Sequence, residues 1–385
     1  MDDVSPKPQK SLSQASPLAE RLLSLDMFRG LAIAGMVFVM GAGSTRGPVY
    51  PCLSHATWNG CTVADLIFPC FLFIVGVAIS ISTARRGARG YPDRLLLARA
   101  LRRAVVLFAL GVLISNFPFY DMAALRIPGV LQRIAVCYFF ALLIALKAKV
   151  PAQAAVTVLL LAVYWALITL VPVPGYGAGV LEPQGNLAAY VDATLLHGHL
   201  FRSGWDPEGL LSTIPALATT LLGVLTGQWL STSGSRRQKT LGLFAAGAAA
   251  IAIGQAMGLW LPINKSLWTS SYAIFAGGIA LLLLGACYWL VDVKGYRRLA
   301  APLVIFGVNP ITLYALASLV SRLLDSYGIA SSDGTVRPIT ATLYERLFAS
   351  WAGPLNGSLL FGAAYLALWA APMGWLCRRR ILLKI

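Results

Sequence analysis

Apolar residues in this chain come in long unbroken windows separated by short polar stretches. They show neither the strict alternation of a half-buried strand nor the three-to-four spacing of a helix on a soluble core. Ten windows approach the roughly 20 residues needed to cross about 30 Å of hydrocarbon. They cover about 27 to 43, 63 to 83, 100 to 116, 128 to 146, 151 to 172, 210 to 230, 240 to 261, 269 to 291, 300 to 321 and 356 to 376. Inside lipid only a helix satisfies every backbone group within one segment. The pattern therefore predicts an all-α, polytopic integral membrane protein with about ten transmembrane helices. Residues 1 to 20 are polar, without the apolar core of a secretory signal peptide, and read as a disordered tail. That leaves 21 to 385 as a single transmembrane domain.

Composition agrees with the windows: 12% of residues are charged, where a soluble domain carries about a quarter. The net charge of +16 raises the question of nucleic acid, which the location of the charges answers. With the N-terminus in the cytoplasm, 23 of the 31 Lys and Arg fall on cytoplasmic segments, seven of them Arg between 85 and 103. This positive-inside bias predicts that both termini are cytoplasmic. The basic residues are divided among short loops instead of forming one surface with stacking aromatics, which excludes a nucleic-acid partner. The long connections, at about 41 to 62, 173 to 209 and 322 to 355, then lie outside, and so do all three His. Six Cys without a C-x-x-C pair or a Cys/His cluster give no metal pattern. Cys52 and Cys61 share the first outer loop and could pair in an oxidising compartment.

Against this background the polar residues near or inside the windows need reasons. In "SHATWNGCTVADLIFP" His55 has the side chain suited to proton transfer near neutral pH, and Asp65 enters the second window. Pro69, four residues on, cannot donate to the Asp65 carbonyl and clashes with it, so a helix irregularity falls on the acid. Two readings stay open: a His general base oriented by Asp65 at an outward cavity, or a loop histidine beside an acid that merely ends a helix. Asp26 and Arg29 share a helical face at i and i+3, either as an interfacial ion pair or as a contact for an anionic cytosolic donor. Arg126 stands at the entrance of the fourth window, with Gln132 and Arg133 inside it. An arginine at the centre of a span costs at least about 2.5–3.5 kcal/mol, which points to a polar cavity or a partner acid. Asp206, Pro207 and Glu208 read as an ordinary helix start, with Asp206 as N-cap. Asn264 and Lys265 occupy a short outer turn where a lone Lys calls for an acid or an anionic ligand, and Asn309 with Pro310 predicts a kink.

The blocks "RLLSLDMFRGLAIAGMVFV", "HATWNGCTVADLIFPCFLFIVG", "RIPGVLQRIAVCYF", "WDPEGLLSTIPA", "INKSLWTSSY" and "GVNPITLY" run in order from about residue 21 to 316. The chain thereby resembles the membrane acetyltransferase family of heparan-α-glucosaminide N-acetyltransferase. It resembles the bacterial type without the large lumenal domain, expected in the inner membrane. The resemblance implies transfer of an acetyl group from cytosolic acetyl-CoA, with no metal, to the amine or hydroxyl of an extracytoplasmic saccharide such as a terminal glucosamine. It places the catalytic pair on His55 and Asp65, with His55 as general base or acetyl carrier. Trp58, Asn59, Asp26, Arg29, Arg126, Gln132, Arg133, Asp206, Asn264, Lys265 and Asn309 become candidates for binding substrate or donor. Met40 departs from the family pattern, which has an asparagine after "MVFV". A transporter or flippase of a saccharide or lipid-linked precursor is the alternative, and the oligomeric state, a homodimer included, stays open.

Overall fold

The computed structural model describes residues 22–42, 47–87, 90–202, 204–330, 335–379 and 381. The expected polar tail at 1 to 20 lies outside the described residues. A helix covers each apolar window: α1 (Leu23–Gly41), α2 (Val63–Gly87), α3 (Asp93–Asn116), α4 (Val130–Lys147) and α5 (Val150–Leu170). The short α6 (Leu187–Leu195) precedes α7 (Thr213–Leu230), α8 (Arg236–Met257) and α9 (Ser270–Tyr288), which a π turn extends to Val293. Then come α10 (Arg297–Val308), α11 (Pro310–Ser326), a small hairpin of β1 (Gly328–Ala330) and β2 (Val336–Pro338), α12 (Ile339–Tyr344), α13 (Ser350–Ala352) and α14 (Pro354–Arg378). Among the described residues eight helices are long and apolar enough to cross a membrane, and the α10–α11 pair, bent by 66°, makes a ninth if it forms one span.

Two expected spans take a different form. The helix over the third window begins at Asp93 and carries Arg94, Arg99, Arg102 and Arg103, leaving only 104–116 free of charge. At 1.5 Å per residue that stretch is about 20 Å long, short of a full crossing. Arg99 and Arg103 instead lie over the rings of Tyr91 and Tyr138, at 5.4 and 5.0 Å. The ninth window breaks at Asn309 and Pro310, as the proline predicts, but the break is a sharp bend and not a mild kink.

Burial separates an inner from an outer set. Over its spanning window α2 is 67% buried and α7 61%, against 22% for α5, α8 and α14, which present apolar side chains outward. Between helices in lipid there is little hydrophobic drive, so close packing depends on small residues. At the α2–α7 crossing a Cβ on Gly76 would come 1.9 Å from the Thr220 carbonyl oxygen, and one on Gly223 2.0 Å from that of Phe73. The backbones meet there because neither residue has a side chain.

Two ends of the bundle can be told apart. Asp26 and Arg29 at the start of α1 line one cavity with Arg85 and Arg86 at the finish of α2. Those helices are thus antiparallel, and the finish of α1 lies at the same end as Asp65, in the first turn of α2.

Candidate functional site

The loop from 47 to 62 is fastened to the turn before α9. Gly60 N donates to Ile263 O at 2.8 Å, and Asn264 Nδ2 donates to Asn59 Oδ1 at 3.0 Å. Trp58 Nε1 donates to Leu181 O at 2.9 Å, and its ring meets Trp205 edge-on at 5.2 Å. Asn264 is fully buried and accepts from Leu267 N, so it shapes its own turn as well as holding the loop.

This clamp brings His55 over Asp65. His55 Nδ1 stands 2.7 Å from Asp65 Oδ1; the imidazole is 55% exposed and the carboxylate 1%. A carboxylate taken from water must be fully hydrogen-bonded or paired. Asp65 Oδ2 accepts from Ala56 N and Thr62 N, each at 3.1 Å, and lies 3.1 Å from Thr62 Oγ1, whose one proton it shares with the Ser54 carbonyl. Lys265 Nζ comes 3.3 Å from Asp65 Oδ1 and 3.1 Å from His55 Nδ1. The partner acid that the lone Lys required is therefore Asp65. With the shorter contact to the carboxylate, the network assigns the proton to Nδ1, leaving Nε2 with its lone pair on the exposed side.

The carbonyl that Pro69 releases also finds a donor. Tyr272 Oη on α9 donates to Asp65 O at 2.6 Å. Sequence reasoning identified the freed carbonyl but missed the tyrosine. A buried carbonyl without its helical partner needs a donor from elsewhere, and that was the available signal. Cys61 offers no competing nucleophile, because burial and then the Asp65 charge push its thiol up to about 12. Cys52 and Cys61 stand as free thiols.

Arg126 and Asp206 form a second group at this end. Arg126 Nε and Nη2 grip Asp206 Oδ2 and Oδ1 at 2.9 and 2.7 Å, and Nη2 reaches Glu208 Oε2 at 2.8 Å. Burial by itself lowers the Arg126 guanidinium, but the Asp206 hydrogen bonds and the two carboxylate charges raise it above its ordinary value. The expected N-cap at Asp206 is corrected. The helix starts seven residues later at Thr213 with Ser212 as its cap residue, and Asp206 instead accepts from Phe201 N and Glu208 N while holding Arg126. The bidentate guanidinium outweighs the pull of one helix end.

Arg133 and Gln132 lie in the first turn of α4, not deep in a span. Arg133 Nη2 donates to Gly209 O at 3.1 Å and Ser212 Oγ at 2.5 Å, and the guanidinium stands 5.1 Å from the Trp268 ring centroid. Among the described residues its Nε and Nη1 are buried without a hydrogen-bond partner. Trp268 packs edge-on against Tyr272, which joins this arginine to the Asp65 carbonyl. Gln132 Nε2 donates to Ile127 O at 3.0 Å, and its amide fills the space left by Gly111 and Gly129, a packing role.

Asp26, Arg29 and Asn309 are not part of this group. Arg29 Nη1 donates to Asp26 Oδ1 at 3.0 Å at the other end of the bundle. Asn309 Nδ2 donates to Ile381 O at 2.9 Å, and the neighbouring Gly307 packs against the Asp26 carbonyl. The cavity between α1 and α2 at that end measures about 470 Å³.

Fold and site together define a polytopic helical membrane protein with an exposed histidine on a buried carboxylate at one end and a basic cavity at the other. The chain belongs to the heparan-alpha-glucosaminide N-acetyltransferase family: the family model described as "Heparan-alpha-glucosaminide N-acetyltransferase, catalytic" matches residues 21–261. Heparan-alpha-glucosaminide N-acetyltransferase of Homo sapiens is 36% identical over 272 residues, covering 58% of this chain and 40% of the human protein. The Mus musculus protein of the same name is 34% identical over 262 residues, covering 55% and 39%. The matches thus span about 40% of the length of these curated relatives. The family match includes His55, Asp65, Arg126 and Asp206 and stops just short of Asn264 and Lys265.

Proposed function

We propose that residues 21 to 385 act as one transmembrane acetyltransferase. It takes the acetyl group from cytosolic acetyl-CoA and passes it to an amine or hydroxyl of an extracytoplasmic saccharide such as a terminal glucosamine. The observation that carries this reading is the 2.7 Å contact between the exposed His55 and the buried, fully engaged Asp65. It leaves Nε2 as a base facing solvent. Membership of the family supports the reaction class. The distribution of Lys and Arg supports both termini on the cytoplasmic side, and the proposed membrane is a bacterial inner membrane. In that orientation Arg29, Arg85 and Arg86 meet the phosphates of the donor at the inner cavity. The unpartnered N–H groups of Arg133 offer donors to amide carbonyls of the pantetheine arm.

Chemically, the acceptor nitrogen or oxygen attacks the thioester carbonyl while His55 Nε2 removes its proton. The new C–N or C–O bond forms, the C–S bond breaks, and the proton passes to the departing thiolate. Asp65 holds the imidazole tautomer and stabilises the imidazolium, as in other His–carboxylate pairs. If Nε2 itself attacks the thioester, an N–C bond forms as the C–S bond breaks and the CoA thiolate leaves; the acceptor then attacks the acetylated imidazole, the N–C bond breaks, and the acceptor's proton passes to the freed Nε2. The test is acetyl transfer from labelled acetyl-CoA by the purified protein. His55→Ala should lower turnover by about 10²–10⁴, the usual worth of a positioned base. Undiminished turnover in that variant overturns the mechanism. Label retained on the protein without acceptor selects the covalent route, and its absence under ternary kinetics selects direct transfer.

A further inference from the structure

A second cavity opens at the His55 end, and the acyl-transfer chemistry above makes no use of it. It measures about 410 Å³ and lies between the finishing ends of α1, α3 and α11 and the segment entering α4. That size falls within the roughly 300–1,000 Å³ of small-molecule sites. One side of the lining is apolar, from Met40, Ile114 and Val130. The other is a polar stripe on α11: Tyr314, Ser318, Ser321, Arg322 and Asp325 all line the cavity. Their spacing of four, seven, eight and eleven residues from Tyr314 puts them on one helical face. Polar side chains on a helix of a membrane bundle are expensive unless they face a wet cavity or one another. This stripe therefore has a purpose that packing does not supply.

The groups differ in what they still have to offer. Ser318 is 5% exposed, and its hydroxyl lies within hydrogen-bonding reach of Tyr314 one turn earlier on the same stripe. Arg322 is anchored through Nη1 to Ser115 O at 3.0 Å, so its remaining N–H groups stand in a fixed position. Asp325 accepts from Ser321 Oγ and Thr340 Oγ1. Arg126, which also lines the cavity, is already neutralised by Asp206 and Glu208, so this wall is not an anion clamp. Hydroxyls, one fixed guanidinium and one carboxylate facing an apolar side match a ring that has a hydroxylated edge and an aliphatic face. A relay of contacts leads from the cavity wall to the His55 loop: Arg126 is gripped by Asp206, which follows Trp205, whose ring packs on Trp58.

We propose that this cavity is a subsite for a neutral pyranose ring of the acceptor, held by the α11 stripe of Ser318, Ser321, Arg322 and Asp325. Its role as an acceptor subsite rests on the acyl-transfer reading; its capacity to bind a sugar does not. The test is saturation-transfer NMR on the purified full chain in a non-glycosidic detergent, with methyl α-D-glucopyranoside as probe and D-glucuronate and phosphatidylglycerol as competitors. The neutral pyranoside should bind, and Ser318→Leu and Arg322→Gln should each weaken it at least tenfold at unchanged melting temperature. His55→Ala should bind the probe like the parent even if it loses all transfer, which separates this proposal from the reaction. Absence of pyranoside binding overturns the proposal, as does equal binding in a folded Arg322→Gln variant. So does tighter binding of glucuronate or displacement of the probe by the phospholipid.

Discussion

At the residue scale, the site depends on how its buried polar groups are paired, and burial leaves its mark on one of the carboxyls. Asp192 on α6 accepts from Leu210 N at 2.8 Å, yet burial pushes its carboxyl up to about 6. The neighbouring Asp206 charge adds to the rise, while hydrogen bonds from the Leu210 and Asp206 backbone N–H groups and the Arg133 charge oppose it. A carboxyl raised above its unfolded value of about 3.9 favours the folded state only while protonated. Its contribution is full below pH 4 and is lost as pH climbs through about 6. Asp192→Asn keeps an acceptor for Leu210 N and removes the charge. The variant should therefore melt above the parent at pH 7.5 and converge with it near pH 4, in thermal scans across that range. Equal melting at pH 7.5 would show that Asp192 carries no such penalty.

At the element scale, the inner helices position the site through close contact. Asp65 belongs to α2, its carbonyl is held by Tyr272 on α9, and α2 is located by its crossing with α7. Gly223→Val would drive a side chain into the Phe73 carbonyl, 2.0 Å from the first added carbon. Overpacking of this kind costs about 1–3 kcal/mol where side chains can give way, and backbone gives way less. The variant should lose most of its monodisperse peak in size-exclusion chromatography. Gly374→Ala on α14, where an added Cβ meets no atom of another element among the described residues within 4 Å, should leave that peak unchanged. A normal peak for Gly223→Val would mean that the α2–α7 crossing is not a fixed point of the bundle.

At the scale of the whole molecule, the division of charge predicts which end faces the cytoplasm. Cys52 is exposed in the His55 loop, and Arg237 is exposed in the first turn of α8. A membrane-impermeant maleimide on intact cells should label Cys52, and the label should vanish in Cys52→Ser. In that background Arg237→Cys should react only after the membrane is opened. The reverse pattern would invert the orientation and with it the sides assigned to donor and acceptor.

The apolar windows by themselves determined the helices and the membrane as their solvent, because length and hydropathy act locally and need no partner. They also marked His55, Asp65 and the carbonyl freed by Pro69, since the chemistry of a proline and a titratable pair is written in neighbouring residues. Only the tertiary structure decided which groups share a site. Lys265 stands 210 residues from His55 and Tyr272 207 from Asp65, and no periodicity links them. The same holds for Asp206, which looks like a cap in its local sequence and becomes the grip on Arg126 once the chain folds back over 80 residues. A local signal reports the cheapest local partner. In a folded bundle a buried guanidinium offers a stronger one.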